Sequence, residues 1–277
     1  MTRPTMKFGC QTFTWEMLGA KWRGGPDDLL RAIADGGYSG IEITDTMIGA
    51  YATRPKDFAA NLANAGLSLV SFAFGSDSGF TEPARVEADL EAARRWVEFA
   101  THFPGALVSM GSATVMSDGT RAQKFDVAAD VYNRATEIGR QAGVTVAVHP
   151  SSHHNTLLFT RADYDEIFAR LDSSVGWVPD TGHILRGGQE MDATLRAYLD
   201  RIRYVHLKDV DTKGIWAMLG AGSCDIAQVI TTVAEAPLFT GWIVVEEESD
   251  TAAADPASAV RVNLQTLRGL DLAMVSA

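Results

Sequence analysis

RAQKFDVAADVYNRATEIGRQAGVTVAVH, residues 121–149, carries one full repeat of the pattern that decides the fold. Arg121–Ala142 places its apolar residues at helical spacing, and Gly143 stands where a glycine closes a helix. Val144–Val148 is a short β-type run, and it ends on His149, a polar residue able to bind metal. Working outward towards the N-terminus, strands are expected at Lys7–Phe13, Gly40–Thr44, Leu67–Phe74 and Ala106–Met110. The helices between them fall near Asp27–Asp35, Pro55–Ala65 and Glu82–Thr101, with Pro26 as a first-turn proline, Gly36 and Gly37 as a stop and Gly66 as a cap. Towards the C-terminus the strands are Gly176–Pro179, Tyr204–Leu207 and Trp242–Val245. Their helices lie near Ala162–Leu171, Asp192–Asp200, Ile226–Glu235 and Pro256–Leu272.

Eight strands, each followed by a helix, in 277 residues predict an α/β chain folded as a (β/α)8 TIM barrel. A doubly wound sheet would carry a glycine-rich dinucleotide fingerprint after its first strand, and none is present. No linker or low-complexity tract divides the sequence, so a single domain over residues 1–277 is expected.

The 35 acidic against 24 basic residues leave a net charge of −11, which counts against binding duplex nucleic acid. Cys10 and Cys224 are the two cysteines and form no paired motif, so a reducing, cytoplasmic setting is expected. The short polar start, Met1–Met6, and the absence of an 18-residue apolar run predict neither secretion nor membrane insertion.

In a TIM barrel the reactive groups stand at the C-terminal ends of the strands. Here those ends are His149 on the fifth strand, Asp180 on the sixth, His206 on the seventh and Glu246 on the eighth. Five of the six histidines fall between 149 and 206, which concentrates imidazoles at one side of the predicted barrel. Two imidazoles and two carboxylates neutralise a divalent cation, and such a donor set favours manganese, iron, cobalt or zinc over magnesium. One divalent ion held by His149, Asp180, His206 and Glu246 is therefore expected. His102, near a helix end, is read as a satisfied polar residue, and Glu247 is expected to point out of the barrel, to solvent or to a helix.

The sequence also resembles the xylose isomerase-like TIM barrels termed sugar phosphate isomerase/epimerase, and within them the inosose dehydratase-like branch. The resemblance rests on Gly37–Glu42, Gly143–His149, Asp180-Thr181-Gly182-His183, Arg201–Val210 and Gly241–Glu246. It implies one divalent metal at the same four positions, with His183 beside it, and assemblies of two or four chains. The fifth-strand position is usually Glu in the isomerases and epimerases of the family. Here it is His149, which resembles the histidine-rich ends of the dehydratases, although Pro150, Ser151 and Ser152 separate it from His153 and His154.

The shared chemistry of these enzymes is removal of a proton next to a carbonyl, with a metal stabilising the enediolate. An imidazole titrating near neutrality suits the base, and His183 and His153 are the leading candidates, with Glu248 a third. Lys208 is a candidate to protonate a departing hydroxyl or pin a substrate oxygen, or else to pair with Asp209 or Glu246. Glu42 is expected to accept hydrogen bonds from sugar hydroxyls or to pair with a lysine. Trp15 and Phe74 could offer apolar faces, with core packing the competing role for Phe74, and His153, His154 and Glu248 could touch substrate. No phosphate loop is present, and the Gly220-Ala221-Gly222 turn reads as a loop hinge, so an unphosphorylated substrate is expected.

The favoured expectation is a metal-dependent lyase or dehydratase acting on a keto-cyclitol or keto-sugar, a 3-keto-glycoside lyase being a variant. The alternative is a sugar isomerase or epimerase using the same site. An endonuclease IV-like repair enzyme needs a basic groove and more ligand histidines, and a non-catalytic barrel would not need a complete ligand set.

Overall fold

In the computed structural model, which describes residues 5–153 and 155–270, eight short apolar runs pair side by side as parallel strands. They are β1 (Lys7–Gln11), β2 (Gly40–Thr44), β3 (Ser68–Phe74), β4 (Leu107–Met110), β5 (Val146–Val148), β6 (Gly176–Trp177), β7 (Val205–Leu207) and β8 (Trp242–Val245). The ladder runs from β6 back through β5, β4, β3 and β2 to β1, then to β8 and β7. Parallel bridges Trp177–Ile202 and Asp180–His206 bring the β6 and β7 segments together and close the ring. The chain is thus a (β/α)8 TIM barrel, as the alternation predicts.

The covering helices are α1 (Pro26–Asp35), α2 (Pro55–Ala65), α3 (Val86–Ala100), α4 (Arg121–Ala142), α5 (Arg161–Phe168), α6 (Met191–Ala197), α7 (Ile226–Val233) and α8 (Pro256–Gly269). Their ends follow local chemistry. Pro26 and Pro55 occupy first turns, where a missing N–H costs nothing, and Thr120 caps α4 by accepting from the Gln123 N–H. Gly66 and Gly143 terminate α2 and α4 with φ of 68° and 71°, a left-handed conformation that favours glycine. Buried aromatics join helix to strand. Trp96 of α3 stacks on Phe72 of β3 with centroids 4.2 Å apart, and burying one such side chain contributes about 1.5–3 kcal/mol.

Strand alternation also fills the barrel. Ala147, Val178, Tyr204 and Val244 each stand two residues before a candidate ligand and therefore share its inward direction. With Val70, Leu107 and Trp242 they form a separate apolar cluster that serves as a floor beneath the polar strand ends. Gly40 makes room for it, since a Cβ there would lie 2.6 Å from the Trp242 ring.

Several boundaries differ from expectation. The first strand stops at Gln11 because Thr12 already adopts helical backbone and caps a short helix, Phe13–Glu16. The long Glu82–Thr101 helix opens as a 3-10 turn at Pro83–Arg85 before α3 begins. Two short helices, Thr181–Arg186 and Asp250–Ala254, and a hairpin pairing Asp209–Val210 with Trp216–Ala217 were not anticipated. The expected end of the last helix, Leu272, lies outside the described residues. Among the described residues, no helix is long and apolar enough to cross a membrane.

Candidate metal centre and active site

His149, Asp180, His206 and Glu246 meet at the top of the barrel, each offering one ligand atom within 4.8 Å of the others. Backbone pairing fixes all four: the His149 N–H donates to the Met110 carbonyl at 2.8 Å, that of His206 to Pro179 at 2.9 Å and that of Glu246 to Leu207 at 3.1 Å. Asp180 is held by its bridge to His206.

One polar atom of Asp180, of His206 and of Glu246 is already engaged. Asp180 Oδ1 accepts from the His183 N–H at 2.8 Å, His206 Nε2 lies 2.9 Å from Glu42 Oε2, and Lys208 Nζ donates to Glu246 Oε1 at 2.6 Å. The atoms left over, His149 Nε2, Asp180 Oδ2, His206 Nδ1 and Glu246 Oε2, are buried without a hydrogen-bond partner. His206 Nδ1 and Glu246 Oε2 come within 2.8 Å, yet out of hydrogen-bond alignment. Burying unpartnered polar atoms costs free energy, and four converging on one point fit a cation. The donor set matches a divalent ion in charge and ligand type.

The electrostatics agree. Burial alone would raise the Asp180 carboxyl, but the Lys208 ammonium 3.8 Å away helps hold it well below the usual carboxylate range. Burial likewise opposes ionisation of Glu246, and Lys208 and His206 outweigh it. Burial disfavours a charged His206, yet Glu42 and Glu246 push it up to about 10.

A cavity of about 220 Å³ opens over the cluster, bounded by His149, Glu246, His183 and His153 on one side and by Glu16, Thr44 and Asp45 on another. Among the described residues, its lining contains no arginine or lysine. Burial, reinforced by the charge of Glu16, pushes Asp45 up to about 6.

His183 is almost wholly buried, and the Ser152 N–H donates to its Nδ1 at 3.1 Å. Ser152 Oγ lies 2.8 Å from the same Nδ1, and the Lys208 ammonium stands 3.4 Å from His183 Nε2. Burial, the largest influence, holds His183 well below the ordinary imidazole range. His153 is more open, with its side chain 45% exposed, its Nε2 3.6 Å from Glu248 Oε1 and its ring 5.1 Å from that of His183. Lys208 is buried, bonded to Glu246 and Glu248 rather than Asp209, and covered by the Trp216 ring 4.7 Å away. Burial alone would lower its ammonium, but Glu246, Glu248 and Asp180 raise it well above its ordinary value.

Other expectations need correcting. Glu42 lines the cavity but pairs with a histidine, not a lysine. Trp15, expected against substrate, is 1% exposed and packs edge-on to Trp22, because the early end of β1 turns it into the core. Phe13 lines the cavity instead, its ring 6.1 Å from His153. Phe74 is buried in the core and also borders the cavity. Glu247 points out of the barrel but is not solvated, accepting from Asn263 of α8 at 2.6 Å. Asp209 ties down the Gly220–Gly222 turn by accepting from the Gly220, Gly222 and Cys224 amides, so that turn is a fastened strap, not a hinge. His102 Nδ1 lies 3.3 Å from the Phe99 carbonyl, a local helix-end contact. His154 lies outside the described residues.

Ser152, Trp216, Glu16 and Asp45 belong to the site and were not anticipated. Ser152 carried a signal in its position within the His149–His153 segment. Glu16 sits on the short Phe13–Glu16 helix, Trp216 on a hairpin strand and Asp45 on the turn after β2, none of which has a periodic signal.

Residues 30–270 match the model of the family described as Xylose isomerase-like TIM barrel. An inosose dehydratase of Geobacillus kaustophilus is 28% identical over 263 residues, covering 83% of this chain and 82% of that protein. The 3-keto-D-glucoside 4-epimerase of E. coli superposes with a TM-score of 0.76 at 20% identity, covering 96% of this chain and all of the other. The zinc-bound IolI protein gives a TM-score of 0.75 at 16% identity over 98% of both chains. The expectation of an enzyme agrees with these relatives, two of which are named for the reactions they catalyse. The match over 30–270, together with the closed barrel and its polar strand ends, places this chain in the family of xylose isomerase-like TIM barrels.

Proposed function

We propose that this chain is a divalent-metal-dependent dehydratase, a carbon–oxygen lyase, acting on an unphosphorylated keto-cyclitol or keto-sugar. The observation that carries the reading is the set of four orphaned donors, His149 Nε2, Asp180 Oδ2, His206 Nδ1 and Glu246 Oε2, beside a small cavity. The inosose dehydratase relative supports the reaction class, and the zinc-bound neighbour supports a divalent ion. Manganese, iron, cobalt and zinc suit the mixed donors better than magnesium. Bound there, such an ion supplies Lewis-acid stabilisation of the negative charge that develops on substrate oxygen.

The protein's own groups divide the remaining work. His183, buried and neutral, lines the cavity and positions a substrate oxygen. That role replaces its expected part as base, since Ser152 engages its Nδ1 and the Lys208 ammonium stands against its Nε2. His153 takes the carbon-bound proton, and its imidazolium is held beside the Glu248 carboxylate. It then passes the same proton to the departing hydroxyl, which leaves as water, so one proton is moved and none is consumed. Lys208 keeps its protons on Glu246 and Glu248 and orients both. The acidic far wall, Glu16 and Asp45, repels phosphate and accepts hydroxyl hydrogen bonds.

Proton NMR of cobalt- or zinc-loaded protein with 2-keto-myo-inositol and keto-hexoses in D₂O tests this. Loss of a ring methine with a new enone or deoxy-diketone is expected. His153→Ala should abolish both water loss and carbon-bound deuterium exchange, while His183→Asn slows both and keeps the metal. Deuterium entering beside the carbonyl with a new stereoisomer and no water loss would replace the dehydratase reading with an epimerase.

A further inference from the structure

Glu246 faces two ways. Its Oε2 points to the cluster formed with His149, Asp180 and His206, and its Oε1 accepts from Lys208 Nζ at 2.6 Å. A carboxylate shared in this manner is the usual bridge between two cations held side by side.

The surroundings of the Lys208 ammonium resemble a ligand shell. Glu248 Oε1 bonds directly to Nζ, Glu246 Oε1 does so from the other side, and Asp180 Oδ2 stands 3.8 Å away. His153 Nε2 lies 3.6 Å from the same Glu248 oxygen. His153, His183 and Glu248 themselves form a second group of potential metal donors, all within 4.8 Å of one another. The ammonium stands against this second group, bonded to Glu248 and 3.4 Å from His183 Nε2, and bonds the bridging glutamate as well.

We propose that Lys208 is a built-in second cation: it fills the other half of a carboxylate-bridged pair, so the protein holds one divalent ion and excludes a second. The inference rests on the reading of the first cluster as a metal centre. Four carboxylates surround the two positions, from Glu42, Asp180, Glu246 and Glu248, and the ammonium satisfies those on its side without metal. Like charges in one small nest repel, so a divalent ion enters the second half only when the ammonium is gone.

The placement of Lys208 is built as firmly as that of a ligand. Its backbone N–H donates to Thr181 Oγ1 at 2.9 Å, and that hydroxyl donates back to the Lys208 carbonyl at 2.6 Å. Gly182 leaves a channel for the stem, since a Cβ there would stand 2.7 Å from Lys208 Cγ and 2.8 Å from the Trp216 ring. The second nest keeps His153, His183 and Glu248, whose ligand atoms already lie within 4.8 Å of one another.

The test is zinc and cobalt content by elemental analysis after chelation, saturation and gel filtration. The native protein should retain one ion per chain and Lys208→Ala two, while Lys208→Arg, which keeps the charge, stays at one. Lys208→Ala combined with Glu248→Gln should fall back to one, which separates the second site from adventitious surface binding. If Lys208→Ala fails to fold by near-ultraviolet circular dichroism, Lys208→Ser serves in its place. One ion in the folded neutral variants, or two in the native protein, would overturn the inference. No retained ion in the native protein would instead overturn the reading of the first cluster.

Discussion

His206 Nε2 lies 2.9 Å from Glu42 Oε2, and both side chains are buried, although 164 residues separate them in the chain. Glu42 is not placed to meet substrate alone. It fixes the imidazole ring and its tautomer, leaving the Nδ1 lone pair aimed at the cluster. Such a carboxylate behind a ligand histidine tightens metal binding without touching the ion.

Glu42→Gln should therefore weaken zinc or cobalt affinity by roughly 10–100-fold while the fold persists. Titration against a chelator of known affinity measures it. Unchanged affinity would show that Nδ1 is aimed by packing alone.

The Asp180-Thr181-Gly182-His183 segment makes a second prediction. Gly182→Ala places a methyl against the Lys208 stem and the Trp216 ring, so the ammonium must move from Glu246 and Glu248. Overpacking of this kind costs about 1–3 kcal/mol. A melting temperature lower by several degrees with a large loss of turnover is expected, and a variant equal to the native protein in both would refute the packing argument.

Asp45 supplies a pH dependence. Its carboxyl, raised to about 6 mainly by burial and then by Glu16, is harder to ionise in the folded chain than in the unfolded one. The folded state thus binds the proton more tightly, and stability falls as pH rises from about 4 to 6. Asp45→Asn should relieve this, giving no gain below about pH 4 and a full gain above pH 6. With water reaching part of the group, the gain is about 1 kcal/mol, on the order of 2–4 °C in melting temperature. Thermal melts between about pH 4 and 7 would show the difference widening up to about pH 6 and then levelling, and a constant difference would contradict it.

The sequence shows the barrel and the four candidate ligands at its strand ends because both rest on short-range pattern. Apolar runs define strands, glycines such as Gly143 close helices, and the residue after each run falls at a barrel mouth. What it hides depends on turns and on distant pairing. Trp15 and Phe13 exchange places because Thr12 bends the chain one turn early, and Trp216 reaches the site on a hairpin that has no periodic signal. The split between His183 and His153 depends on Ser152 and Lys208, whose contacts with the His183 ring are set only by the folded chain.

The central claim is that one divalent ion is held by His149, Asp180, His206 and Glu246. Elemental analysis of native protein, His206→Ala and Glu246→Gln, each stripped, reloaded with cobalt and freed of excess metal, tests it most directly. One ion per chain is expected in the native protein and none in either variant, with far-ultraviolet circular dichroism unchanged. Full metal content in both variants would contradict it.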